Sequence, residues 1–335
     1  MASRSRLPRT GEAHGRPRPG RTGPLAEPMT RTLVVTGAGG FVGAHLCRIA
    51  ADAGFSVFAV GREAKRPDSL DGFVDEYVGV DLTEEWPSQV PTDADVVHLA
   101  GLAAVGGSFR DPQLYLSSNS AMVTHLCEAL MRGSGGGRVV GVSSGAVYAA
   151  GPGDSFIDEA SPVGFSSPYA VSKVLVENQL SYYRGRGLDT VVARPFNHSG
   201  PGQGVGFIIP DLIRRLAQTS ADEVLTTGSL STRRDYTDVR DVARAYLALI
   251  TAPRLDHDVY NVASGTPRSG SEILAAVCAA LGRPVPETRL DPGLLRPNDP
   301  ASITGDAGRL REQTGWAPQV SFEQMIVESV SSVLA

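Results

Sequence analysis

Short apolar runs alternate with longer segments of helical periodicity over most of the chain. The runs at 31–36 (Arg-Thr-Leu-Val-Val-Thr), 56–60, 75–80, 96–100, 138–143 and 190–194 have the length and β-branched content of buried strands. Helical patterns fill the intervals, at 42–53, 115–131 and 169–183. This alternation predicts βαβ units and an α/β fold, a Rossmann-like doubly wound parallel sheet covered on both faces. After Pro195 the alternation loosens. Residues 197–235 hold a Gly-Pro-Gly-Gln-Gly segment, an apolar stretch and an amphipathic helix at 211–218. A helix at 238–250 and a strand at 259–263 return to the sheet, and residues 264–335 carry helices and Pro-rich loops. The reading divides the chain into an extension (1–30), a sheet domain (31–196 plus 236–264) and a smaller, mostly C-terminal lobe (197–235 plus 265–335).

Composition changes this picture little. The 335 residues carry a formal charge of −5, which gives no reason to expect nucleic acid or a membrane surface as partner. No apolar run approaches the ~20 residues that a membrane span needs. Cys47, Cys127 and Cys278 are far apart in apolar helical stretches, without metal or redox spacing. They are expected as buried free thiols, in keeping with a cytoplasmic protein and no metal. The segment before Met29 is rich in Arg, Pro and Gly and poor in large apolar side chains. It is expected to be disordered, with Met29 as an alternative natural start.

Candidate chemistry begins at the first turn. Gly37, Gly40 and Gly43 give a G-x-x-G-x-x-G spacing between strand and helix, with Phe41 and Val42 at the helix start. Glycines there permit a tight turn and close approach of a dinucleotide pyrophosphate, which a helix N-terminus attracts. The sheet domain is therefore read as NAD(P)-binding. The second strand ends in Val60-Gly61-Arg62, with no acid for the ribose hydroxyls of NAD. Arg62 favours the 2′-phosphate of NADP, while the adjacent Glu63 keeps NAD open. Asp81-Leu82 after the third strand is placed to touch the adenine, and Leu99-Ala100-Gly101 after the fourth to line the dinucleotide by backbone. His98 is read as structural.

Ser167-Pro168-Tyr169-Ala170-Val171-Ser172-Lys173 supplies the reactive pair. Ser167 suits an N-cap and Pro168 the first helical position. Positions i and i+4 share a helix face, so Tyr169 and Lys173 stand side by side. A tyrosine titrating near ~10 needs about three units, or ~4 kcal/mol, to reach the pH where acid-base work is efficient. A unit charge ~4 Å away at an effective dielectric of ~20 supplies about that much. Ser144, at the end of the fifth strand, completes a Ser/Tyr/Lys set.

The glycine turn, Ser143-Ser144-Gly145-Ala146-Val147-Tyr148, Tyr169/Lys173, Arg194-Pro195-Phe196-Asn197 and Arg233-Arg234-Asp235-Tyr236 together resemble the extended short-chain dehydrogenase/reductase family, whose members act on nucleotide-diphosphate sugars. The likeness covers nearly all of 31–330. It implies Ser144 as the donor to the reacting sugar oxygen and Tyr169 as the acid/base. Lys173 is implied as the residue that holds the nicotinamide ribose and lowers the tyrosine pKa. It also implies Asn119 near the site, and Asn197, Arg234 and Arg296 as contacts of the nucleotide-sugar. The smaller lobe is thereby implied to bind the nucleotide-sugar. Dehydratases of the family carry acids directly after the serine or threonine, whereas this chain has Gly145 and Ala146. Phe196 through Gln203, Arg234 through Asp241 and Leu295-Arg296-Pro297-Asn298-Asp299-Pro300 are similar to enzymes handling GDP-mannose derivatives, in particular the GDP-4-keto-6-deoxymannose reductases. The resemblance thus implies NADPH-dependent reduction of a C4 ketone. Nucleotide-sugar 4-epimerisation is the alternative, and a non-catalytic NADP-binding scaffold a third reading. Equivalent helices pair across a two-fold axis in the family, which implies a homodimer.

Overall fold

The run Leu33-Val34-Val35 shows how the sheet is buried. Leu33 and Val35 join one apolar cluster and Val34 the other, because successive side chains of a strand point to opposite faces. The computed structural model describes residues 31–133, 135–149, 156–220, 223–294 and 300–335. The N-terminal extension, Met29 and Arg296 lie outside the described residues.

Strand Thr32–Thr36 sits inside a seven-stranded sheet with the order Val259–Val262, Thr190–Pro195, Val139–Val142, Asp95–His98, Thr32–Thr36, Ser56–Gly61, Glu76–Gly79. Every pairing is parallel. Helices Phe41–Asp52 and Val239–Thr251 cover one face, burying Leu46, Cys47, Ala50, Val242 and Tyr246. Helices Pro112–Arg132 and Pro168–Gly185 cover the other, burying Val123, Leu126, Cys127, Val176 and Leu180. Each large aliphatic side chain so removed from water contributes about 1.5–3 kcal/mol. The strand order reverses between Thr32–Thr36 and Asp95–His98, whose last residues pair as Thr36 and His98. A crevice opens at such a switch point, beyond the carboxyl ends of the strands.

A second group of elements rests on a separate apolar cluster. Helices Ile208–Gln218, Gly270–Ala280 and Phe322–Leu334 pack Ile213, Leu216, Ile273, Val277 and Ile326 together. Alongside runs a five-stranded mixed sheet. Arg233–Asp238 pairs antiparallel with Pro267–Ser269 and parallel with Ser302–Gly305 and Asn197–Ser199, and Ser302–Gly305 pairs in turn with Phe156–Ile157. The amphipathic helix expected at 211–218 begins earlier, at Ile208.

The strands of this second sheet are absent from the sequence reading. Arg233–Asp238 hides its strand character because its inward positions are polar. Asp235 is 1% exposed and accepts hydrogen bonds from Ser264 N (2.9 Å), Ser264 Oγ (2.7 Å) and Gly265 N (2.8 Å). A carboxylate therefore occupies the place of a core aliphatic. The strand expected at 96–100 stops at His98, because Ala100 N turns back to Thr36 Oγ1 at 3.2 Å. Cys47, Cys127 and Cys278 are buried free thiols, as expected.

Asp235 joins the second sheet to the end of the first, since Ser264 follows strand Val259–Val262 closely. Asp235→Asn turns an amide N–H toward backbone donors. It should lower stability by about 2–4 kcal/mol, read as a lower urea midpoint with an unchanged denaturant slope.

Candidate active site

Glycine geometry builds the first part of the site. Gly37 adopts φ +67°, and a Cβ there would meet Ala100 N at 2.9 Å. A Cβ on Gly43 would stand 2.3 Å from Gly37 O. The backbone of the turn thus touches both the helix start and the loop after strand Asp95–His98. Gly40 caps helix Phe41–Asp52 without a side-chain hydrogen bond, and no acid lies in the first turn. The positive end of this helix is open to an anion. A closely approached, uncapped cradle at the switch point suits the pyrophosphate of a dinucleotide, so the residues present fit such a cofactor.

The end of strand Ser56–Gly61 carries charges of both signs. Arg62 is exposed and its charge helps hold Asp81 below the usual carboxylate range, after the stronger hydrogen bonds from Thr83. The Glu63 carboxylate reaches the glycine turn, with Oε2 3.4 Å from where a Gly39 Cβ would stand. Leu82 is buried and its carbonyl meets His125 Nδ1 at 3.0 Å. Leu99 N donates to Thr36 O, and Leu99, Ala100 and Gly101 border the glycine turn and the lysine.

The reactive set converges on the next two strand ends. Ser167 Oγ accepts from Ala170 N (3.1 Å) and Pro168 opens helix Pro168–Gly185, the start expected from the sequence. Ser144, two residues beyond strand Val139–Val142, caps a short turn, accepting from Ala146 N at 3.1 Å. The Ser144 side chain lies beside the Tyr169 phenol, near enough to pull its pKa downward. Lys173 Nζ lies 6.0 Å from the centroid of the Tyr169 ring and donates to Val142 O at 2.9 Å. Asn119 is 2% exposed and donates to Ser172 Oγ (3.0 Å), while its Oδ1 accepts from Leu102 N (2.8 Å). It pins the loop after the fourth strand to the tyrosine helix.

Electrostatics correct one expectation. Burial holds the Tyr169 phenol above its ordinary value, and the Ser144 side chain is the pull downward. Lys173 is itself brought down to about 8 by burial, with the Glu177 carboxylate pushing it back up. The lysine was expected at ~4 Å as the main force on the tyrosine. Its ammonium is instead directed at the Val142 carbonyl. His98 is 3% exposed, bonds Thr36 Oγ1 through Nδ1 at 2.9 Å, and burial pulls it to about 3. It is neutral and structural, as the sequence reading had it.

Asn197 is exposed and follows Phe196, whose ring stands 3.1 Å from where a Gly145 Cβ would be. Asn197 pairs with Tyr236, and Arg234 lies two residues along the same strand. Arg234 Nη1 donates to Pro300 O at 2.9 Å and to Arg233 O at 2.6 Å. The sequence reading missed Thr36, Tyr115 and Glu177. Tyr115 is buried beside Tyr169, with its hydroxyl on Ala104 O at 2.8 Å. The signal for Glu177 was present: it continues the four-residue ladder Tyr169, Lys173, Glu177. Among the described residues no cluster of His, Cys, Asp or Glu could hold a metal ion, and no helix is long and apolar enough to cross a membrane.

Comparison with known proteins matches this geometry. The profile of the NAD dependent epimerase/dehydratase family matches residues 33–263. A GDP-6-deoxy-D-mannose reductase of Pseudomonas aeruginosa is 33% identical over 312 residues, 89% of this chain and 95% of that protein. The structure of RMD from P. aeruginosa complexed with NADPH superposes with a TM-score of 0.74 at 30% identity, covering 91% of this chain and 99% of the other. A UDP-glucose 4-epimerase of Thermus thermophilus complexed with NAD gives a TM-score of 0.77 at 27% identity, covering 91% and 99%.

A buried lysine with a lowered pKa opposes folding while it stays charged. Between its folded value near 8 and its ordinary value the unfolded chain binds more protons, so stability rises with pH. Relative to Lys173→Met, the protein should therefore gain about 2 kcal/mol between pH ~7.5 and ~9.5. Urea titrations of both at the two pH values measure this. A constant difference would count against the burial cost.

Proposed function

The chain belongs to the NAD dependent epimerase/dehydratase family, and we propose that within it the protein is an NADPH-dependent reductase of the C4 ketone of a nucleotide-diphosphate 4-keto-6-deoxy sugar, with NAD as a second cofactor. The proposal includes a GDP-linked sugar, because a GDP-6-deoxy-D-mannose reductase is 33% identical over 95% of its length. One observation carries the choice of simple hydride transfer over dehydration. Gly145 follows Ser144, and the Phe196 ring fills the space that a side chain at 145 would need. Neither Gly145 nor Ala146 moves a proton, whereas expelling a hydroxyl needs further acid and base groups.

The proposed domains follow: 31–196 with 236–264 for the dinucleotide, 197–235 with 265–335 for the nucleotide-sugar. Gly37, Gly40, Phe41, Val42 and Gly43 would hold the pyrophosphate, and Arg62 the 2′-phosphate, with Glu63 able to take ribose hydroxyls. Asp81, Leu82, Leu99, Ala100, Gly101 and Asn119 would border the remainder. The bound nicotinamide supplies the hydride. Tyr169 gives its proton to the developing alkoxide at C4. Ser144 donates a hydrogen bond to the same oxygen, and Lys173 stabilises the phenolate left behind. A phenol held above its ordinary pKa is protonated at neutral pH, the form a reduction requires. Asn197, Arg234 and Arg296 would contact the nucleotide-sugar, the arginine forks pairing with its diphosphate.

A second reading is a nucleotide-sugar 4-epimerase, favoured by the likeness to the Thermus enzyme. It uses the same three residues without net consumption of cofactor. A scaffold without turnover is disfavoured, because Ser144, Tyr169 and Lys173 are all present. Given external NADPH and a 4-keto-6-deoxy nucleotide-sugar, the protein should consume NADPH in proportion to ketone. Interconversion of 4-hydroxy sugars without consumption would establish the epimerase instead. Tyr169→Phe should bind NADPH normally and lose about 10²- to 10⁴-fold in kcat.

The protein is further proposed to be a cytoplasmic homodimer. Val171, Leu175 and Tyr182 on helix Pro168–Gly185 and Leu114 on helix Pro112–Arg132 are large apolar side chains left exposed. Val171, Leu175 and Tyr182 form one stripe, at i, i+4 and i+11. A second copy would cover them. Light scattering at micromolar protein should give twice the chain mass, and Leu175→Glu with Tyr182→Glu should give the single mass.

A further inference from the structure

Behind Ser144 lies a buried ion pair that the proposed chemistry does not use. The side chains of Arg194 and Glu177 are 7% and 11% exposed. They join through Nε to Oε1 at 2.9 Å and Nη2 to Oε2 at 2.6 Å. Removing two charges from water is expensive, and an apolar pair of the same volume is often as stable. Stability alone is therefore a poor reason for a pair at this place.

Its connections point elsewhere. Glu177 Oε1 also accepts from Ser143 Oγ at 2.5 Å, and Ser143 immediately precedes Ser144. Glu177 lies one helical turn beyond Lys173, on the face that holds Tyr169. The Arg194 guanidinium stands 4.8 Å over the ring of Tyr148, the residue that ends the Ser144 turn. Tyr148 is held in turn by its hydroxyl on Asn261 Oδ1 at 2.6 Å. One carboxylate thus touches the strand end that carries the serine and faces the lysine from the helix that carries the tyrosine.

We propose that Glu177 is a positioning residue for the reaction: its carboxylate fixes the Ser143–Ser144 strand end and is the anionic neighbour of Lys173, with Arg194 as its counter-ion. The inference rests on the reading of Ser144, Tyr169 and Lys173 as the catalytic set. The ionisable groups facing Lys173 are Tyr169 and Glu177 on its own helix and His98 on strand Asp95–His98. Facing Glu177 from strand Thr190–Pro195 is Arg194, with Tyr148 beyond it. Burial keeps His98 neutral, so Glu177 is the anion of this group. Without its charge the Lys173 ammonium is lost at a lower pH.

Two variants test the two connections. The double variant Glu177→Gln with Arg194→Met removes both charges and leaves neither alone. Its kcat should lose the basic limb of the pH profile at least about half a unit lower than wild type. NADPH affinity should weaken at correspondingly lower pH, a readout independent of turnover. Ser143→Ala keeps the ion pair; it should lower kcat about 5- to 10-fold with the NADPH dissociation constant unchanged. Wild-type pH profiles in the double variant overturn the role of the charge. A wild-type kcat in Ser143→Ala overturns the strand-end connection, and does so whether or not the double variant folds. Full activity in Tyr169→Phe would instead remove the underlying catalytic reading, leaving NADPH binding against pH as the measure of Glu177.

Discussion

A buried ammonium must find partners, and the partners of Lys173 organise the site. Its Nζ donates to Val142 O, so the helix that carries Tyr169 is tied to the end of the strand that leads to Ser144. Burial lowers its pKa to about 8, which keeps most of the charge at neutral pH while making it sensitive to its surroundings. Asn119 adds a second tie, from Ser172 on the same helix to the loop at Leu102. These hydrogen bonds hold the helix of Tyr169 and Lys173 against the strand and loop beside it, and Ser144 is fixed by its own bond from Ala146 N. Such prior ordering is what lets donors act on charge developing in a transition state.

The same burial acts on the Tyr169 phenol. A lysine close to a tyrosine suggests a phenolate, but both groups lie in a low-dielectric site where each charge is penalised. For Tyr169 desolvation outweighs the help from Ser144, and the phenol remains an acid. A reductase wants that acid, because the ketone oxygen must receive a proton as the hydride arrives at carbon. A catalyst that begins by oxidising an alcohol wants the base.

Much of the fold was legible because its chemistry is local. The glycine spacing read as a turn does meet Ala100 and the helix start within van der Waals distance, and Ser167-Pro168 caps the helix it was expected to cap. The main sheet announced itself through β-branched runs buried on both faces. What stayed hidden depends on pairing at long range. Arg233–Asp238 is a polar hexapeptide whose inward carboxylate is satisfied by Ser264 and Gly265, about thirty residues on, and no periodicity betrays such a strand. Glu177 drew no role from the sequence, because only the sheet order brings Arg194 and Ser143 against it. The expected pull of the lysine on the tyrosine is missing for a related reason: the i+4 rule fixes a shared face, while a carbonyl on another strand decides where the ammonium points.

The contrast between Gly145 and its neighbours carries the argument about reaction type one step further. Phe196 occupies the volume beside Gly145 and Gly305, and it stacks on Tyr148 at a centroid distance of 6.0 Å. An acidic side chain at 145 would have to displace this ring, and the ring is followed directly by Asn197 and the strand that pairs with Arg233–Asp238. An acid at 145 would therefore disturb the packing of Phe196 on Tyr148. At position 145 the absence of an acid is built into the packing, which supports the proposed exchange of hydride and proton.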